Sequence, residues 1–309
     1  MKIDDAWQNG MGEDDLTGVE IILAENSGFC SGVTRAINMA FEAAERSEGK
    51  VYTIGPLIHN PQVVRKLEEH GVGVIERLTP GMVGTVIVRS HGLHPDVIAE
   101  AERIGLDIVD ATCPFVKKAQ HDAASLSADG YQVIVVGSAD HPEVEGIVGY
   151  AGDEAIVVDS VEEASGLGRW PRIGIVSQTT FSVERHRQIV SELIGHAREL
   201  KVYNTICSET SLRQRSTVAV GLRADMMIVI GGKNSSNTTR LAELCRAHGR
   251  ETHHIETAAE LRPEWFRGKP KVGVTAGAST PQWIIDEVIG KIRDLFQAGA
   301  VPSSSPRGS

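Results

Sequence analysis

The sequence predicts an α/β protein built from three repeats of one unit, and three observations carry that prediction. Short apolar, β-branched runs alternate with amphipathic helical patterns along the body of the chain, the mark of parallel strands joined by helices. Three of the four cysteines, Cys30, Cys113 and Cys207, share one context: a strand, a short turn, the cysteine, then a helix. Each of the three is followed at nearly constant distance by a strand that ends in glycine. The length of 309 residues suggests about two domains. The repeats revise that to three units of about 90 residues.

In chain order the apolar runs are Val19–Leu23, Val51–Ile54, Thr85–Val88, Asp107–Val109, Val133–Val136, Ile173–Val176, Met226–Ile230 and Val272–Val274. Most precede a short polar turn and a helix; in the first helix Val33, Ile37, Ala40 and Phe41 fall on one face. The first repeat runs from GFC into SGVTRAINMAFEAA, then YTIGPLIHNP with Gly55 and His59, then VIVRSHG with Ser90 and His91. The second runs from DATC into PFVKKAQHDAASL, then IVVGSADHPE with Gly137 and His141, then IGIVSQTT with Gln178, Thr179 and Thr180. The third runs from NTIC into SETSLRQRSTVAV, then IVIGGKNSSN with Gly231 and Ser235, then VGVTAGAST with Ser279 and Thr280. Any α/β protein tends to place glycine and polar residues after strands, but that tendency does not place the cysteines.

The expected organisation is an acidic leader at 1–17, then a first strand and first cysteine at 18–31 packed with the third unit. The α/β domains follow at 32–113, 114–206 and 207–295, with a small polar tail at 296–309. Leader and tail have the composition of flexible appendages. With 41% hydrophobic and 23% charged residues the chain is ordinary globular protein. Its 31 Lys+Arg against 41 Asp+Glu, net −10, leave no basic footprint for a nucleic-acid backbone. No apolar run approaches the roughly 18 residues of a membrane span. The acidic N-terminus lacks the apolar core of a signal peptide. Four scattered cysteines are not a secreted disulfide scaffold, so the expected compartment is the cytoplasm.

Ligands of parallel α/β layers bind beyond the carboxyl ends of the strands, where these polar turns lie. A cysteine at a helix N-terminus is biased toward the thiolate that ligates metals. Three such thiolates suit zinc with a fourth ligand, or three irons of a [4Fe–4S] cluster with one iron left open. Cys245, within RLAELCRAHG, reads instead as a small core residue. His59, His141, Ser235, Asn237, Ser279 and Thr280 add donors at helix starts, which suits a phosphate or diphosphate. Taken singly, the Ser and Asn residues read equally well as N-caps. There is no Walker loop. Glu143, at the start of the helix after His141, is the acid best placed for proton transfer, with Thr179 and Thr180 as hydroxyls able to relay.

The ordered set GFCSGVTRAI, GPLIHNPQVV, RSHG, DATCPFV, DHPEVEG, SQTT, NTIC, GGKNSSNT and AGASTPQW resembles the 4-hydroxy-3-methylbut-2-enyl diphosphate reductases, over about residues 18–292. The resemblance implies a trefoil of three pseudo-symmetric α/β domains around a central [4Fe–4S] cluster, one per chain, held by Cys30, Cys113 and Cys207. It implies a diphosphate held by His59, His91, His141, Ser235, Ser236, Asn237 and Ser279. Glu143 would be the proton source, with Thr179 passing the proton to the substrate hydroxyl. The implied reaction is a two-electron reductive dehydroxylation giving isopentenyl and dimethylallyl diphosphate, with electrons from a ferredoxin or flavodoxin type carrier. Three neighbours of these residues depart from the usual pattern: Ser31, Ser90 and Asp140. Asp140 in particular leaves open a specialised paralogue. A hydro-lyase with an open-iron cluster, or a non-catalytic three-cysteine metal or redox-sensing module, would share the cysteines.

Overall fold

The strands are β1 (Glu20–Leu23), β2 (Val51–Ile54), β3 (Val72–Ile75), β4 (Thr85–Val88), β5 (Asp107–Asp110), β6 (Gln132–Val136), β7 (Ile156–Val158), β8 (Trp170–Ser177), β9 (Ala197–Val202), β10 (Met226–Ile230), β11 (Glu251–Ile255) and β12 (Lys271–Ala276). The helices are α1 (Ser31–Arg46), α2 (Pro61–Glu69), α3 (Pro95–Arg103), α4 (Pro114–Ala128), α5 (Pro142–Ala151), α6 (Val161–Ser165), α7 (Val183–Leu193), α8 (Ser208–Gly221), α9 (Ser236–Ala247) and α10 (Gln282–Gln297). This computed structural model describes residues 18–152 and 154–298. The leader at 1–17 and the expected tail from residue 299 lie outside the described residues. The first two residues assigned to that tail are the end of α10, which runs to Gln297.

Every pairing is parallel, and the strands form three four-stranded sheets with one shared plan: β3-β2-β4-β5, β7-β6-β8-β9 and β11-β10-β12-β1. One edge strand of each sheet runs into a cysteine: β5 into Cys113, β9 into Cys207, β1 into Cys30. The third sheet is completed from the far end of the chain, with Glu20 to Leu23 of β1 in register with Lys271 to Val274 of β12. The chain divides into two compact units. Ser31–Ser208 carries the first two sheets; the segment up to Cys30 and the segment from Glu209 carry the third.

The central strands are mainly apolar because both of their faces are covered. In β10, Met226, Ile228 and Ile230 join the core under α10, while Met227 and Val229 join the core that holds Leu241, Ala242 and Cys245 of α9. In β6, Val133 and Val135 face one core and Ile134 and Val136 the other. The outer edge strands β3, β7 and β11 are absent from the apolar runs of the sequence for the same reason reversed. They are partly exposed: β11 is polar (ETHHI), while β3 (VGVI) and β7 (IVV) are apolar but only four and three residues long. Phe41 is half-buried rather than fully in the core, its ring edge-on to His70 with centroids 5.0 Å apart; the buried face of α1 is Gly32, Val33, Ala36, Ile37, Ala40 and Ala43.

Close packing makes one glycine a sharp test. A Cβ on Gly174 in β8 would stand 2.7 and 2.8 Å from the two Cδ atoms of Leu126. Gly174→Ala is therefore expected to destabilise the fold by about 1–3 kcal/mol through overpacking. Urea unfolding that leaves the midpoint unchanged would show that Leu126 yields freely.

Candidate active site

In all three sheets the turns that leave the carboxyl ends of the two central strands lie side by side, and the cysteine turn is tied to one of them. The Cys113 N–H donates to Ser90 O at 3.0 Å, Cys207 N–H to Thr179 O at 3.0 Å, and Cys30 N–H to Ala278 O at 3.1 Å. The three glycines of the repeat have a common purpose. A Cβ on Gly55 would meet Arg89 Nη1 at 2.5 Å, one on Gly137 would meet Gln178 Cβ at 2.9 Å, and one on Gly231 would meet Thr280 Oγ1 at 2.5 Å. Gly55 and Gly231 leave room for a polar side chain from the neighbouring turn, and Gly137 leaves room for both Val144 of α5 and Gln178.

In the unit Ser31–Ser208, three such turns bring the predicted histidines together. The His59 turn starts at Gly55, in the left-handed region at φ +67°. It buries Leu57 and Ile58 and ends where Asn60 caps α2 by accepting from Gln62 N and Val63 N, both at 3.1 Å. The His91 turn closes with Gly92 N–H donating to Arg89 O at 2.9 Å. His141 caps α5, its Nδ1 accepting from Glu143 N–H at 3.1 Å. That bond places the proton of the neutral ring on Nε2. Ring centroids are 4.3 Å apart for His59 and His91, 5.6 Å for His59 and His141, and 5.7 Å for His91 and His141.

The electrostatics of this cage follow from burial. Burial, then the Arg89 charge, lowers His59 to about 4. Burial, then His59 and Arg89, lowers His141 to about 4. His91 is held well below its ordinary value by burial, then by His59, His141 and Arg89. All three are neutral at pH 7, and the Nδ1 of His91 is buried with no hydrogen-bond partner. Beside the cage Glu143 is 1% exposed. One carboxylate oxygen accepts from Thr179 N–H at 2.6 Å and the other from Thr179 Oγ1 at 3.0 Å. Burial raises Glu143 to about 7, against those two bonds, which lower it. A carboxyl that keeps its proton near neutrality, bonded to a hydroxyl, is equipped as a general acid.

In the other unit the remaining predicted residues sit at the same edge of the third sheet. Ser235 caps α9, accepting from Thr238 N–H at 3.4 Å and Thr238 Oγ1 at 3.0 Å. Its capping role is thus realised. Ser236 opens α9, and Asn237 is buried with its Nδ2 unpartnered. Ser279 is buried in the turn after β12, next to the carbonyl that receives Cys30. Thr280 Oγ1 donates to Ile230 O at 3.0 Å.

Sequence reasoning missed Arg89 and Gln120. Arg89 immediately precedes Ser90-His91, so its position was a usable signal. Gln120 has none: it is 5% exposed, its Nε2 lacks a partner, and it lies 2.4 Å from where a Cβ on Gly92 would be.

The family model described as LytB protein matches residues 21–293. The chain is 55% identical over 280 residues to the 4-hydroxy-3-methylbut-2-enyl diphosphate reductase of Geobacter metallireducens, across 91% of this chain and 99% of that one. The chain belongs to the LytB family, the 4-hydroxy-3-methylbut-2-enyl diphosphate reductases. The reductase of Pelobacter propionicus is 54% identical over 277 residues, across 90% and 99% of the two chains. A solved structure of (E)-4-hydroxy-3-methyl-but-2-enyl diphosphate reductase, the terminal enzyme of the non-mevalonate pathway, matches at 46% identity and TM-score 0.65, over 89% of this chain and 99% of that one. The reductase of Plasmodium falciparum matches at 27% identity and TM-score 0.84, over 88% and 87%.

Two of the three residues that depart from the pattern the resemblance implies can be placed. Ser90 donates both its N–H and its Oγ to Leu57 O, at 3.2 and 3.0 Å, tying the His91 turn to the His59 turn. Asp140 is exposed.

Proposed function

We infer that the chain catalyses the reductive removal of the allylic hydroxyl of 4-hydroxy-3-methylbut-2-enyl diphosphate, giving isopentenyl and dimethylallyl diphosphate. In balance, the C–O bond breaks, two electrons and two protons are consumed, and the oxygen leaves as water. The observation that carries this reading is the buried Glu143–Thr179 pair, its carboxyl raised to about 7 by burial, beside three neutral histidines in a chain of this family.

Among the described residues no three His, Cys, Asp or Glu are grouped as a ready metal site. The case for a [4Fe–4S] cluster rests on the donor set. Cys30, Cys113 and Cys207 are partly exposed, none is in a disulfide, and each opens a helix with its N–H fixed to an adjacent turn. Cys245 is buried, and burial pushes its thiol up to about 11, which disfavours the thiolate. Three ligands with one iron left for substrate fit that set. When bound, the cluster supplies electrons and a Lewis-acidic iron.

This chain's own residues do the rest. His59, His91 and His141, with Ser235, Ser236, Asn237 and Ser279, hold the diphosphate and so fix the allylic end. Glu143 delivers its proton through Thr179 to the departing hydroxyl, because hydroxide is a poor leaving group until protonated. The electrons come from a carrier of the ferredoxin or flavodoxin type, in the cytoplasm. Among the described residues no helix is long and apolar enough to cross a membrane. Each sheet with its helices is the core of one domain, at 32–113, 114–206 and 207–295, with 18–31 completing the third.

Anaerobic turnover of the hydroxylated diphosphate with a chemical reductant tests the reading. Both isoprenyl diphosphates are expected, and only with reductant. Dehydration without reductant would instead establish a hydro-lyase.

A further inference from the structure

We propose that Arg89 is a further residue of the diphosphate pocket: its guanidinium supplies the positive charge that the three histidines lack, and braces the His59 and His91 turns in register. The inference rests on the reading of the histidine cage as the diphosphate site. One end of the side chain closes the His91 turn, with Arg89 Nε donating to Gly92 O at 3.2 Å. The other end occupies the space left by Gly55 at the root of the His59 turn, where a Cβ would stand 2.5 Å from Nη1. Between these ends Ser90 ties the same two turns through Leu57 O. At the positions that the strand register makes equivalent, the other two sheets place no charge: Gln178 beside Gly137 and Gly277 beside Gly231. Of the three repeats, the first therefore carries a permanent cation at this position.

The charge has a reason. A diphosphate brings more than one negative charge, and neutral imidazoles offer single hydrogen bonds without net charge. Removing that anion from water without a counter-charge is costly. Arginine keeps its proton even when burial lowers it, as happens to Arg89, and presents a fork of donors that suits phosphate oxygens. The titratable groups that act on or are acted on by this guanidinium are His59, His91 and His141, which it lowers, and Glu145 of α5, which opposes the lowering of Arg89. Burial, not Arg89, is the main cause that keeps the three histidines neutral, so they do not replace its charge when it is lost.

The test is the affinity of the cluster-loaded full chain for inorganic diphosphate, by calorimetry at pH 6 and pH 8, with iron content and melting curves checked for each variant. Comparing variants at one pH cancels the ionisation of the ligand itself. Arg89→Gln is expected to bind about 30-fold more weakly or worse at both pH values, the scale of removing one partner from a buried charge pair. Arg89→Lys, which keeps the charge and loses the fork, is expected to be roughly two- to five-fold weaker than wild type. Arg89→Gln binding as tightly as wild type, or Arg89→Lys as weak as Arg89→Gln at both pH values, overturns the proposal. Should Arg89→Gln not fold, an Arg89→Lys affinity equal to wild type overturns it. Wild-type protein that does not bind inorganic diphosphate at all is a different result, and removes the reading of the cage as a diphosphate site.

Discussion

Replacing Glu143 by Gln is expected to lower kcat by about 100- to 10,000-fold, the range set by loss of a positioned general acid, while iron content should stay at the wild-type level. The amide has the same size and can still accept from Thr179 N–H, so the α5 start and the Thr179 turn keep their geometry. What is lost is the proton. Because burial raises Glu143 to about 7, wild-type kcat should fall as pH rises through neutrality, since the protonated form is the donor. Stability follows the same sign. A carboxyl raised in the folded state contributes stability that is complete below its unfolded value of 4.5 and is lost as pH rises through about 7. Up to about 3 kcal/mol of pH-dependent stability is therefore at stake, and Glu143→Gln should not show it. Melting curves at pH 5 and pH 8 measure the difference, and steady-state rates measure the loss of turnover. Full activity in the variant would remove Glu143 as the proton source.

Cys207→Ser, and equally Cys30→Ser or Cys113→Ser, should drop iron and sulfide in anaerobically purified protein to near background and bleach its colour. Cys245→Ser should leave both unchanged. The four thiols divide on physical grounds. Three open helices at the ends of edge strands and remain partly exposed. The fourth packs with Met227, Leu241 and Ala242, in surroundings that hold its proton on. Hydroxyl oxygen is a poor replacement for a thiolate on iron, whereas in a core Ser for Cys costs only packing and a buried hydroxyl. Equal loss of iron from Cys207→Ser and Cys245→Ser would contradict this division.

Much of the fold is legible from local pattern because its central strands are buried on both faces. Val133–Val136, Met226–Ile230 and Thr85–Val88 stand out as uninterrupted apolar runs, and each is a central strand. Strands β3, β7 and β11 did not stand out in this way: β11 is polar, and the apolar stretches of β3 and β7 are only four and three residues long. The candidate site divides similarly. His141 and Glu143 share one helix start, so their proximity is local. The pairing of Glu143 with Thr179 joins α5 to the turn after β8, and only the parallel register of β6 and β8 sets it. Arg89 was marked in the sequence only by its place before Ser90-His91; its importance comes from the space above Gly55 on the neighbouring strand.

By itself the sequence determined the rhythm of strand, polar turn and helix, the number of its repeats, and the sorting of Cys30, Cys113 and Cys207 from Cys245. Each of these depends on residues near one another along the chain, where periodicity and caps act. The tertiary structure alone decided that β1 completes the sheet begun by β10 to β12, that His59, His91 and His141 meet, and that Glu143 holds its proton near pH 7. Those outcomes depend on which surfaces are removed from water together, and desolvation is a property of the packed molecule rather than of any segment of it.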